Sequence, residues 1–288
     1  MPVPVRQIVH PKGRIREAAA LPPLLVYHGG ALLTTAEVTT IFWGSAWISD
    51  PLRVQLDAFF DFIVGSSLVD QLGEYSVFRQ TIGHGSHLAS FAVMADPGAV
   101  VDDSAVQNLI NQLVSSGTLP APNPNSLYFV FTPNGTTVIL QGQQSCQQFC
   151  GYHSPGANYA YAVVPYPSCT GCGFASTIFD SMTVVASHEL CEAITDPNLD
   201  AWYDDNTGEE IGDICEGSNN VISAASTQTS ATAGTSYSIS GTGTTDATGN
   251  INASLTLTPI AGGPPPPPPP PTSYVVQKEW SNAQGSCV

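Results

Sequence analysis

The run His188-Glu189-Leu190-Cys191-Glu192 combines an imidazole and two carboxylates at spacings that suit metal-dependent hydrolysis. On a helix, His188 and Glu192 stand one turn apart and project from the same face, so one cation can be held between them. Glu189 would then act as general base, taking a proton from metal-activated water and later delivering it to the leaving amine. A carboxylate replaces the second histidine of the commoner His-Glu-x-x-His pattern, and it is a competent zinc ligand although its charge acidifies the water less. A third ligand has to come from another element. The run Gly208 to Glu216 offers Asp213, preferred because Cys215 follows it, with Glu210 nearer the turn at 204–208 as the alternative. His153 is a further candidate, as a donor to the transition state or as an additional ligand, and a plain loop histidine is an equal alternative.

The elements that must position these groups read as a mixed set. Residues 37–43 (EVTTIFW) are β-branched and aromatic, as in a strand. Residues 51–64 place apolar side chains at helical spacing behind Ser49 or Asp50 as cap, with Pro51 in the first turn. A second helix is expected over 103–114, and short strands over 127–131 and 159–164. The run 180–195 reads as the motif helix, capped by Asp180 or Ser181 and stopped at Asp196-Pro197. Strand and helix alternate, which predicts an α+β core.

Four segments follow from composition. Residues 1–24, with Pro2, Pro4, Pro11, Pro22 and Pro23, read as an extended leader, and 25–217 as the main domain. Residues 218–272 change to Ser, Thr, Ala and Gly and end in the run Pro264–Pro271, which would hold an extended polyproline rod. Two stretches within them, TSYSISG and INASLTLT, alternate enough for hairpins. Residues 273–288 regain strand character and are expected to return to the main domain, with Cys287 tied to Cys215.

The charge balance, 23 acidic residues against 7 basic, leaves no cationic surface for nucleic acid or an anionic membrane, and no run is long enough to span a bilayer. Only 10% of residues are charged, so few ion pairs are lost on acidification and tolerance of mildly low pH is expected. Seven cysteines clustered near loops suit disulfides in an oxidising compartment and leave at least one thiol unpaired. Cys169-x-x-Cys172 reads as a structural disulfide, Cys191 as a buried small apolar residue or a thiolate ligand, and His84/His87 as a weak metal pair on a glycine turn. Asp204-Asp205-Asn206 with Gly208 is similar to a calcium loop but lacks its terminal glutamate, so Ca2+ stands beside Zn2+ as a lesser expectation.

Taken in order, Cys146-x-x-x-Cys150-Gly151-Tyr152-His153, SHELCEAITDP (187–197), AWY (201–203), EIGDICEG (210–217) and VVQKEW (275–280) resemble the phosphate-induced protein 1 or EXORDIUM-like family over about 25–217 and 273–288. Plant members are linked to cell-wall growth, and microbial relatives are described as zincin-like peptidases. The resemblance implies an extracellular protein and matches His188, Glu189, Glu192 and Asp213 to the family's pattern. The plant pattern has a glycine-rich segment where this chain has 218–272.

The combined expectation is a secreted zinc-dependent endopeptidase with a zincin-like mixed sheet packed on the active-site helix. His188, Glu192 and Asp213 would hold the metal, Glu189 and His153 would serve catalysis, and the substrate would be a protein or peptide. Two rivals are a non-catalytic protein associated with cell-wall polymer or carbohydrate, keeping a metal for stability, and an adhesin whose 218–272 tract is a spacer.

Overall fold

The computed structural model describes residues 8–9, 23–223, 237–245, 251–259, 271 and 273–288. They fall into two compact units, 1–224 with 273–288, and 225–272. In chain order the larger unit runs through β1 (Ile8–Val9), β2 (Leu25–Tyr27), β3 (Glu37–Trp43), α1 (Pro51–Ile63), α2 (Ser67–Gln71), β4 (Ser86–Val93), β5 (Val100–Asp102) and α3 (Asp103–Ser115). It continues with β6 (Ser126–Thr132), β7 (Thr137–Leu140), β8 (Gln143–Gln144), β9 (Gly151–Pro155), β10 (Ala160–Pro165), α4 (Ile178–Thr195), β11 (Trp202–Asp204), α5 (Ile211–Ile214) and β12 (Asn219–Ser223). In the smaller unit β13 (Tyr237–Thr245) and β14 (Ile251–Pro259) pair antiparallel. The larger unit closes with β15 (Ser273–Gln277), β16 (Trp280–Ser281) and β17 (Ser286–Cys287).

The fold is α+β. Its main sheet has the order β1-β9-β10-β6-β3-β4, with β10, β6, β3 and β4 parallel, β9 antiparallel to β10, and β1 antiparallel to β9 at that edge. Period-two alternation sends neighbouring residues to opposite faces. Leu127, Phe129 and Phe131 join Ala160, Ala162 and Val164 in a core shared with Phe59, Phe60 and the α4 residues Met182, Val185 and Leu190. Tyr128, Val130, Tyr161 and Val163 face Val106 and Ile110 of α3 on the other side. The central parallel strands β3, β6 and β10 are buried on both faces, as their near-continuous apolar runs require.

Helix α4 is buried all round, from Phe179 to Thr195 apart from Asp180. It starts earlier than the capping signal at Asp180 or Ser181 implied, because Thr177 is the cap: its Oγ1 accepts from the Asp180 amide at 3.0 Å. Helix α4 lies against β9 and β10 on one side and against β15 on another, where Thr183 Oγ1 donates to Val275 O at 2.6 Å and Gln277 N donates to Ser187 Oγ at 3.0 Å.

The larger unit extends past the change of composition at Gly217, because β12 pairs antiparallel with β15 from Asn219↔Gln277 to Ser223↔Ser273. The two hairpin-like stretches are β13 and β14. The proline run lies outside the described residues except Pro271, as does most of the stretch 1–24. Among the described residues no helix is long and apolar enough to cross a membrane.

Three disulfides join Cys146–Cys169, Cys150–Cys172 and Cys215–Cys287, leaving Cys191 free and buried. The Cys169-x-x-Cys172 pair therefore closes no bridge of its own. Each of its thiols reaches back to the segment before β9, so two crosslinks fix the entrance to the strand that carries His153.

Candidate metal centre on helix α4

Helical spacing does what the sequence implied for the first two groups: His188 Nε2 lies 2.9 Å from Glu192 Oε1. The third comes from α5, a single turn opened by Glu210, whose amide donates to Asp213 Oδ2 at 3.2 Å. That turn places Asp213 Oδ1 3.9 Å from His188 Nε2 and lets the Asp213 amide donate to Glu192 Oε1 at 3.2 Å. His188, Glu192 and Asp213 thus offer ligand atoms within 4.8 Å of one another. Although His188 Nε2 and Glu192 Oε1 are close, they lack hydrogen-bond geometry, and Nε2 is buried without a hydrogen-bond partner. Imidazole and carboxylate atoms that converge without a hydrogen bond between them fit a cation once the ring proton is on Nδ1.

Strand alternation decides where His153 points. Tyr152 joins the α3 face, so His153 on β9 faces α4, with Nδ1 3.4 Å from both Glu189 Oε2 and Glu192 Oε2. Its Nε2 donates to Asp196 O at 3.2 Å and lies 3.7 Å from Glu210 Oε1. Glu189 has both oxygens buried without a hydrogen-bond partner. Gly151 leaves room for it, since a Cβ there would stand 3.0 Å from Glu189 Oε1.

The electrostatics follow from burial. Around this group six carboxyl groups (Glu189, Glu192, Asp196, Glu210, Asp213, Glu279) and two imidazoles are buried, while no lysine or arginine is buried among the described residues. Burial pushes Glu189 up to about 7, partly offset by His153 and His188. Burial also works on Glu192, but the two histidines overcome it and hold this carboxyl at about 2. Burial, then the neighbouring carboxylates, raise Glu210 and Asp213 well above the usual range, with His153 and His188 pulling the other way. Glu279, beside Cys191, is raised by burial as well.

Two groups here had no signal in local spacing. Gln277 of β15 donates through Nε2 to Gly212 O at 2.7 Å, and that nitrogen stands 2.8 Å from His188 Nδ1. As the amide is placed, Nδ1 accepts and the ring proton sits on Nε2; ligation through Nε2 needs that proton on Nδ1, and the Gln277 amide, which also donates to Gly212 O, has to shift to accept it. Oε1 of Gln277 is buried without a hydrogen-bond partner as it stands. Glu279 is the other group, brought in by the chain that follows β15. Gly212 is part of the cradle, because a Cβ there would stand 2.7 Å from His188 Nδ1 and 2.9 Å from Glu192 Oε1. Gly212→Ala is expected to lower metal affinity by about 10–100-fold, the usual effect of disturbing groups behind the ligands. Calorimetric titration with zinc, alongside circular dichroism to check the fold, measures it.

The remaining sequence candidates are accounted for elsewhere. His84 pairs with Asp70 at 2.8 Å, and His87 with Asp61 at 2.7 Å and Thr40 at 3.1 Å, so the two histidines serve separate partners. Asp204 spends its carboxylate on the amides of Asn206, Thr207 and Leu24, which makes the 204–208 segment a self-capped turn. Cys191 is buried against Glu279, and burial raises its thiol.

No family model matches the chain, and no solved structure matches it. Among curated proteins, EXORDIUM-like 5 of Arabidopsis thaliana is 28% identical over 177 residues, covering 50% of this chain. EXORDIUM-like 3 of the same plant is 26% identical over 236 residues, covering 67% of this chain and 68% of that protein. The chain spans 44% of the length of EXORDIUM-like 5. Three disulfides and this likeness fit an extracellular protein. The homologues of this chain are thus EXORDIUM-like proteins, which it resembles over half to two thirds of its length.

Proposed function

We propose that the chain is a secreted, divalent-metal-dependent hydrolase of zincin type that cleaves protein or peptide. One observation carries this reading: a buried carboxylate without hydrogen-bond partners, Glu189, is held beside the converging ligand atoms of His188, Glu192 and Asp213. Imidazole and carboxylate donors suit Zn2+, with Ca2+ a weaker fit for a set containing nitrogen. A bound zinc supplies Lewis acidity and makes a coordinated water easier to deprotonate. Glu189 is the group that takes up that proton, and an acidity near neutrality lets it pass the proton on to a leaving amine. His153 of β9 stands beside Glu189, with Nδ1 3.4 Å from Oε2.

The sheet edge beside this group offers a peptide-binding mode. Strand β9 carries His153 and is paired on its outer side by β1 of the same chain, Ile8↔Tyr152 and Val9↔Gly151, and β1 also lies against α4 and α5. An extended substrate adding to an edge strand would use the position that β1 holds. Removing residues 1–22 is expected to raise casein cleavage on the order of tenfold, equal to about 1.4 kcal/mol of self-occupancy released. Digestion by the full and trimmed chains, with and without chelator, tests both points; cleavage that survives complete metal removal contradicts the proposal.

A second reading, an extracellular cell-wall or carbohydrate-associated protein with a structural ion, is favoured by the burial of the ligands, with His188 and Glu192 at 0% and Asp213 at 4% exposure. Stoichiometric metal with no cleavage by either form supports it.

A further inference from the structure

The His188–Glu192–Asp213 group uses one oxygen of Glu192 only. Oε1 faces His188 Nε2 at 2.9 Å, whereas Oε2 faces His153 Nδ1 at 3.4 Å. On this other side His153, Glu192 and Glu210 again present ligand atoms within 4.8 Å of one another. All three residues have 0% exposure, and His153 Nδ1, Glu192 Oε2 and both Glu210 oxygens lack a hydrogen-bond partner. Orphaned buried polar atoms are costly, and these four belong to one three-residue group, in which Glu192 Oε2 faces His153 Nδ1 and Glu210 Oε1 stands nearest His153 Nε2, at 3.7 Å. The His153 ring is oriented for ligation as well. Its Nε2 faces Asp196 O at 3.2 Å and donates there, which leaves the Nδ1 lone pair on the Glu192 side, with the backbone carbonyl acting as the outer partner that metal-binding histidines use. Charge points the same way, since six buried carboxyl groups face two imidazoles and no buried lysine or arginine among the described residues. Ionised together, these carboxyl groups would carry more negative charge than one divalent ion offsets in a low-dielectric interior.

We propose that His153, Glu192 and Glu210 bind a second divalent transition-metal ion, with the Glu192 carboxylate bridging the two ions through its separate oxygens. The proposal rests on the first site only through Glu192. A bridged pair is typically about 3.5–4 Å apart and clamps both ends of a displacement. In the loaded protein His153 is then a ligand, not a donor to substrate.

The test is metal content. The full chain is stripped with chelator, dialysed against Zn2+ alone, and measured by elemental analysis and native mass spectrometry, with circular dichroism on every variant. The wild type is expected to hold two ions. Glu210→Gln and His153→Gln should each hold one, as should His188→Ala, and Glu192→Gln should weaken both. Loading with Mn2+ should give the exchange-coupled paramagnetic resonance of a bridged pair, lost in Glu210→Gln. One ion per chain that disappears in His188→Ala and persists in folded Glu210→Gln overturns the second site and leaves the first standing. One ion that persists in His188→Ala and disappears in Glu210→Gln overturns the bridged pair and the first-site reading together. If His153→Gln does not fold, the isosteric Glu210→Gln decides alone.

Discussion

Glu189→Gln is expected to lower metal-dependent cleavage of casein by about 10²–10⁴-fold while metal content and thermal stability stay near wild type. The glutamine keeps the shape of a side chain with 0% exposure, so its fit beside Gly151 is preserved. The basic oxygen that takes up a proton is lost. Because Glu189 is neither His188, Glu192 nor Asp213, the ligand set of the first ion is intact. The expected signature is a fall in kcat with KM little changed, since the missing interaction forms only as the proton moves. Equal loss of metal and activity would make Glu189 a ligand instead of a base, and undiminished cleavage would remove it from the chemistry.

The second large effect is on stability. Chelator-stripped protein is expected to lose unfolding temperature as pH rises from 5 to 8, by roughly 5 °C or more, whereas zinc-loaded protein holds or gains. Burial raises Glu210, Asp213 and Glu279, and it raises Glu189 to about 7. A carboxyl raised above its unfolded value near 4 has its full stabilising contribution below that value and loses it as pH climbs through the folded value. His153 and His188 act with the same sign: burial opposes their charge, but the carboxylates around them raise both well above 6.5, so this contribution too is lost on going alkaline. Glu192 has the opposite sign. Held at about 2, it contributes above its unfolded value and fails only in strong acid, so it is flat across this window. With an ion bound, the carboxylates are ionised against it, and binding tightens as protons leave the ligands. Differential scanning fluorimetry with and without chelator reads the gap between the two forms. A gap that does not widen with pH would mean that these carboxylates have another counter-charge.

The one-turn step from His188 to Glu192 was legible in the sequence because helical periodicity is a property of four consecutive residues. The start of that helix was not: Asp180 and Ser181 are good capping types, yet Thr177 accepts the capping bond, since several polar residues in a row satisfy the same local rule. Asp213 and Glu210 were both legible as carboxylates near the right place. Which of them stands beside His188 depends on one short turn, which sets them on either side of Glu192.

By itself the sequence determined what depends on local period and on counting: an α+β alternation of elements, an imidazole and a carboxylate on one helix face, and at least one cysteine without a partner. Only the tertiary structure decided that Cys169 and Cys172 reach back to Cys146 and Cys150, that β9 turns His153 toward Glu189 and Glu192, and that Gln277 arrives behind His188 from 89 residues away. Strand pairing and helix burial are set by which apolar faces can be covered together, a condition on the whole chain that no short window of residues contains.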